Sequence, residues 1–105
     1  MADGVLGRFD LTAATDTLVY TCPAGKIAFI SVNLVSRAGS QTVRIALPFN
    51  TTPGNTDYVE YEFPIAFGGI PLMREGIILQ ATDRVYVRAS AVSVTCVVYG
   101  REQAA

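Results

Sequence analysis

The 105-residue chain is half apolar, only 16% charged and carries a net charge of −1, with no histidine and two cysteines. That is the length of one domain; the interspersed charges exclude a basic surface for nucleic acid or anionic membrane, and no run approaches the roughly 20 apolar residues of a bilayer span. An ordinary soluble domain is about 25% charged, so the composition predicts more apolar surface than one small core encloses, with the rest covered by sister copies or a larger shell.

Residues 1–15 read as an N-terminal arm or first strand. The opening MADGVLGRFD lacks the basic-then-apolar layout of a signal peptide, so synthesis in a cytoplasm is expected. From Thr17 to Cys22 the sequence alternates as a strand, and Pro23-Ala24-Gly25-Lys26 is turn chemistry. In the strand that follows, Ala28, Ile30, Val32 and Leu34 share one face, while Ile27, Phe29, Ser31, Asn33 and Val35 share the other. The second face begins apolar, which predicts cover on both sides at that end.

Arg37-Ala38-Gly39-Ser40 is the next turn. After it Val43, Ile45 and Leu47 point one way and Thr42, Arg44 and Ala46 the other, until Pro48. Residues 48–56 form a polar loop, and Asp57 to Phe63 a strand with Val59, Tyr61 and Phe63 on one face. Pairing Ile45 with Val59 sets Val43 against Tyr61 inside and makes Arg44 and Glu60 a cross-strand ion pair outside.

Pro64 to Met73 is an unusually apolar loop. It reads either as a contact loop presenting Phe67, Ile70, Leu72 and Met73 or as a cover over the open end of the core. A strand over 76–80, a turn at Ala81-Thr82-Asp83, and a strand with Val85, Val87 and Ala89 inside complete the hairpin. Arg84, Tyr86 and Arg88 then project outward, as an interface, a solvated face or a ligand platform. The last strand runs from Ser93 to Tyr99, and 101–105 is a tail. Seven or eight short strands between Gly, Pro, Asn and Asp turns predict a single all-β domain over 1–105, an antiparallel β-sandwich or jelly roll.

Chemistry is scarce in this pattern. Without histidine there is no ordinary general base near neutral pH, no Ser-His-Asp or Cys-His arrangement, and no histidine metal site. Gly68-Gly69 lacks the following residues of a phosphate loop. Glu60 and Glu62, with Asp57 nearby, are the one carboxylate group suited to calcium binding or glycoside hydrolysis; pairing of Glu60 with Arg44 is the plainer reading. Cys22 and Cys96 read as free buried thiols, with a disulfide or interchain crosslink as the alternative. No cofactor or metal is expected. The basic residues are Arg8, Arg37, Arg44, Arg74, Arg84, Arg88 and Arg101 against a single Lys26, a bias that suits interfaces.

The run DTLVYTCPAGKIAFISVNLVSR, then VRIAL, YVEYEFPI and GIILQATDRVYVRASAVSVTCVVYG, resembles small all-β virion proteins of tailed bacteriophages over residues 16–100. The resemblance rests on Asp16, Thr17, Tyr20, Thr21, Pro23, Ala24 and Gly25; on Arg37 and Gly39; and on Gly76, Leu79, Asp83, Val85, Tyr86 and Val87. Cys22 departs from the apolar residue expected there. The resemblance implies a non-enzymatic virion component that decorates a capsid or joins a head fibre, neck or tail appendage. Its implied partners are copies of itself, a trimer among the expected states, and other virion proteins such as capsid or tail. The alternative function is a carbohydrate-binding or host-adhesion module on an aromatic platform of Tyr58, Tyr86 or Phe67, against which the absence of tryptophan counts.

Overall fold

A period of two in the side chains gives each strand one face to bury. The computed structural model, which describes residues 3–48, 53–66 and 71–105, places eight such strands: β1 (Asp3–Asp10), β2 (Thr17–Thr21), β3 (Lys26–Ser36), β4 (Gln41–Ala46), β5 (Tyr58–Ile65), β6 (Leu72–Leu79), β7 (Arg84–Ala89) and β8 (Val94–Ala104). There is no helix among the described residues. Two four-stranded sheets result, sheet A in the order β1-β8-β3-β6 and sheet B in the order β2-β7-β4-β5. All strand pairs are antiparallel. Strands from the two ends of the chain alternate in both sheets, which is the double Greek-key order of a jelly roll. The expected sandwich is therefore the observed one.

The inner faces interdigitate into one core. Ala28, Ile30, Val32 and Leu34 of β3 meet Val43 and Ile45 of β4, Leu79 of β6, Val85 and Val87 of β7, and Val94 and Val98 of β8, all buried. Cys22 and Cys96 are buried and unpaired with each other, as free core thiols. Cys96 sits between Val94 and Val98 on the inner face of β8, where loss of hydration pushes its thiol up to about 12. Across the sandwich, the Tyr20 hydroxyl on β2 donates to the Glu102 carboxylate on β8. Burial and that bond raise the phenol's pKa above its ordinary value.

The exposed surface is 5749 Å², against about 5,700 Å² for a folded monomer of this mass. A single chain thus closes its own core, and the apolar excess inferred from composition is confined to what the outer faces show.

Residues 101–104, expected as a tail, continue β8 and pair with the start of β3, Lys26 facing Ala104. Three further expectations need correction. The first concerns β5, whose register slips twice against β4: Val43 faces Phe63, Ile45 faces Glu60, and Ala46 faces Tyr58. Both slips place extra residues on β5, and Glu62 adopts a left-handed φ of 52° at the first of them. Each bulge exchanges inside for outside beyond it. Tyr61 consequently lies outside, 59% exposed, rather than against Val43. The predicted Arg44–Glu60 pair does not form either. Arg44 Nε instead donates to Glu62 Oε2 at 2.7 Å, while Glu60 reaches across the open edge of the sandwich to Arg74 on β6, at 3.6 Å.

This geometry makes a sharp prediction about which reversal rescues Arg44. In a double-mutant cycle on thermal stability, Arg44→Glu should couple to Glu62→Arg and leave Glu60→Arg uncoupled. Coupling to Glu60 instead would refute the observed register.

The second correction concerns the segment expected to be a loop from Pro64 to Met73. β5 continues through Pro64 to Ile65, and β6 begins at Leu72. Pro64 is tolerated because β5 is an edge strand, where a missing N–H breaks no ladder on the open side. β6 starts earlier than expected because a bulge interrupts its alternation: Ile30 faces Ile77 but Val32 faces Arg74. Gly76, at φ 75°, supplies the left-handed conformation there.

The third correction concerns the second face of β3. Phe29 is 37% exposed and Ile27 half-buried, so the end that reads as apolar on both sides is only partly covered by the described residues.

Candidate functional site

Because the inner faces are consumed by the core, any site must be built from the outer faces, the edges or the loops. On the outside of sheet A, register brings apolar residues from all four strands together. Val5 on β1 faces Tyr99 on β8, which faces Ser31 on β3. One row along, Phe29 faces Arg101 on one side and Ile78 of β6 on the other. In the other direction Asn33 lies between Val97 and Met73, and Tyr99 reaches over β3 to donate a weak hydrogen bond to Met73 Sδ at 3.4 Å.

Ile78, Met73, Val5 and Phe29 are 65%, 49%, 48% and 37% exposed. Antiparallel sheets commonly have one core-facing and one polar face; here the outward one carries apolar residues around Ser31 and Asn33 of β3, with Arg8 and Arg101 beside them and ion pairs at its margins. Asp3 lies 3.9 Å from Arg101 at one end, and Asp10 pairs with Arg37 at the other. An apolar centre with a polar rim is the anatomy of a protein–protein contact.

The outside of sheet B is the opposite in character. Arg84, Tyr86 and Arg88 alternate outward from β7 with Val85, Val87 and Ala89 buried behind them, as the sequence pattern predicts. Arg44 of β4 stands directly opposite Arg88. Two like charges in such a pair repel, and each is met by an acid from the flanking strand or its approach. Glu62 bonds Arg44, and Asp16, just before β2, lies 3.9 Å from Arg88. The Arg44 guanidinium also rests 4.4 Å above the Tyr61 ring, which meets Tyr58 edge-on at 4.9 Å. The bond to Glu62 holds the Arg44 pKa above its ordinary value. Beside this ladder lies a cleft of about 190 Å³ lined by Ala14, Arg44, Glu62, Arg88, Ala89 and Ser90.

Of the interface residues expected from sequence, Phe67 and Ile70 lie outside the described residues. Leu72 does not face solvent: it is half-buried, opposite Leu34, and packs on the core. Met73, its neighbour, points outward with the apolar patch. Arg84, Tyr86 and Arg88 are on the other sheet, so the structure does not join them to Met73 in one surface. Val5, Val97, Tyr99 and Ile78 are the residues that sequence reasoning missed. Their signal was an outward parity that stayed apolar on neighbouring strands, visible at Phe29 but unassembled without the register.

Glu60 and Glu62 serve Arg74 and Arg44 separately, so they do not form the carboxylate pair that adjacent strand positions suggest. Among the described residues no group of three or more Cys, Asp or Glu side chains is placed to hold a metal ion. Compared with known proteins, the chain matches no family model, no curated protein and no solved structure.

Proposed function

We propose that this jelly roll is a non-enzymatic assembly protein that buries the outer face of sheet A against further copies of itself, as a structural component of a bacteriophage particle. The observation that carries the assembly reading is the patch formed by Val5, Phe29, Met73, Ile78, Val97 and Tyr99, with its margin of ion pairs. Each 100 Å² of apolar area removed from water contributes about 2.5 kcal/mol before ordering costs, and repetition around a closed ring or over a shell multiplies the gain. Support for the virion setting is the sequence resemblance over 16–100, and the proposed partners beyond sister copies are capsid or tail proteins. In that setting the protein stabilises a capsid or joins an appendage, made in the host cytoplasm and retained in the particle.

Sedimentation equilibrium tests the self-association directly. At micromolar concentration the mass should be a multiple of the 11.2 kDa subunit. Ile78→Asp should weaken association about thirtyfold or more, the effect of losing a contact worth about 2 kcal/mol. Its melting temperature as a dissociated subunit should match that of the diluted native chain, since Ile78 contributes little to the core. A native chain with the mass of one subunit would overturn the reading.

A further inference from the structure

We infer that the cleft on sheet B is a binding site for a neutral vicinal diol of monosaccharide size, a hexose, held between Arg88 and Glu62. The assembly surface is on the other sheet, so the two readings stand or fall apart.

Within the cleft lining, Arg88 is the side chain with unused donors. Its side chain is 33% exposed, the nearest acid oxygen, from Asp16, is 3.9 Å away, and no hydrogen-bond acceptor serves it among the described residues. A guanidinium presents five donors in a planar fork. Across the cleft, Glu62 gives one carboxylate oxygen to Arg44 Nε at 2.7 Å and keeps the other as an acceptor. Ser90 Oγ accepts from the Thr42 backbone N–H at 3.1 Å, which leaves its own proton free to donate. The cleft lining therefore holds unmatched donors and an unmatched acceptor together. Each hydroxyl of a diol both donates and accepts, so adjacent hydroxyls match a fork and a carboxylate together. Bonds of this kind to charged partners are the stronger sort.

Charge selects the ligand class. Arg44 and Arg88 are balanced by Glu62 and Asp16, so neither an anion nor a cation gains from entering, and a neutral polar molecule is favoured by default. Size agrees: about 190 Å³ is the share of roughly six water molecules in the liquid, the scale of one sugar ring. The walls are preset. Ala14 N donates to Ala89 O at 2.8 Å, tying the segment before β2 to β7, and the Tyr61 ring under Arg44 fixes that side chain's plane. Ala14, exposed at the rim, supplies a small apolar surface against which ring C–H groups can lie.

Titrating the full-length chain with D-glucose, D-galactose and D-mannose, followed by amide chemical shifts, tests the assignment. At least one hexose should move the amides of Ala14, Ala89 or Ser90 with a dissociation constant of about 1–10 mM, the range of a small ligand with few contacts. D-glucuronate should bind about threefold more weakly or worse, because its carboxylate meets Glu62 and Asp16. Arg88→Gln should weaken hexose binding about tenfold while its melting temperature and sedimentation mass stay those of the native chain. If Arg88→Gln melts early, Glu62→Gln provides the same loss from the other side of the cleft. No shift at about 100 mM of any of the three hexoses, equal binding by both variants, or a preference for glucuronate would overturn the proposal.

Discussion

Replacing Gly100 by Ala is expected to lower stability by roughly 3–5 kcal/mol, a fall of about 15 °C or more in melting temperature. Gly100 lies in β8 with φ at 152°, directly across from Ile30 of β3. A methyl group there would sit 2.0 Å from the Phe29 carbonyl oxygen and 2.8 Å from Ile30 Cα. Those are backbone atoms of the central strand, so no side chain can swing away; either β3 or β8 must shift. Gly76→Ala separates strain from collision, for Gly76 also has a positive φ, 75°, but nothing within 4 Å of an added methyl. It should cost about 1 kcal/mol, the left-handed penalty alone. Thermal or denaturant unfolding of both variants decides the matter, and equal small losses would mean that β8 does not approach β3 so closely.

The second large effect is alkaline. The Cys96 thiol stays protonated in the fold up to about 12, against an ordinary 9.0, because burial disfavours the thiolate. Above pH 9 the unfolded chain releases this proton while the native chain keeps it, so stability falls as pH rises and the contribution is spent near pH 12. Over that interval the loss amounts to about 4 kcal/mol from this one group. Burial also raises Cys22 and Tyr20, whose losses run in the same direction. Urea unfolding between pH 8 and 11 should therefore show a steady decline. Cys96→Ala should be less stable at neutral pH by about 1 kcal/mol, through the cavity left by the sulfur, yet decline less on the alkaline side. Parallel curves for the two proteins would place Cys96 in contact with water.

Strand β7 shows what the sequence makes readable. Its residues alternate without a break, β4 pairs with it in simple register while the one irregularity beside it lies on β2, between Leu18 and Tyr20, and every side chain from Arg84 to Ala89 points as parity requires. The two cysteines and the turns at 23–26 and 37–40 are readable for similar reasons, since burial parity and turn chemistry are local. Strand β5 shows the limit. Glu62 holds a left-handed backbone although nothing in a glutamate favours it, and the bulges it helps form move Tyr61 outside and hand Arg44 to a different acid. That conformation is imposed by β4 and by the edge position, not by the residues themselves. The apolar face of sheet A was half readable: Phe29 gave a sign on β3, but Val5 and Ile78 become its neighbours only through pairings of distant segments. The cleft was less readable still, because Ala14, Arg44, Glu62 and Arg88 come from four separate stretches of chain.

The order of sheet A also governs how the molecule can come to be folded. β8 lies between β1 and β3, so β1 has no partner in its sheet until the strand latest in sequence arrives. The opening segment therefore pairs within its sheet only across nearly the whole length of the chain. Architectures dominated by such distant pairings fold in milliseconds to seconds rather than microseconds, so the refolding of this chain should fall in that slow range.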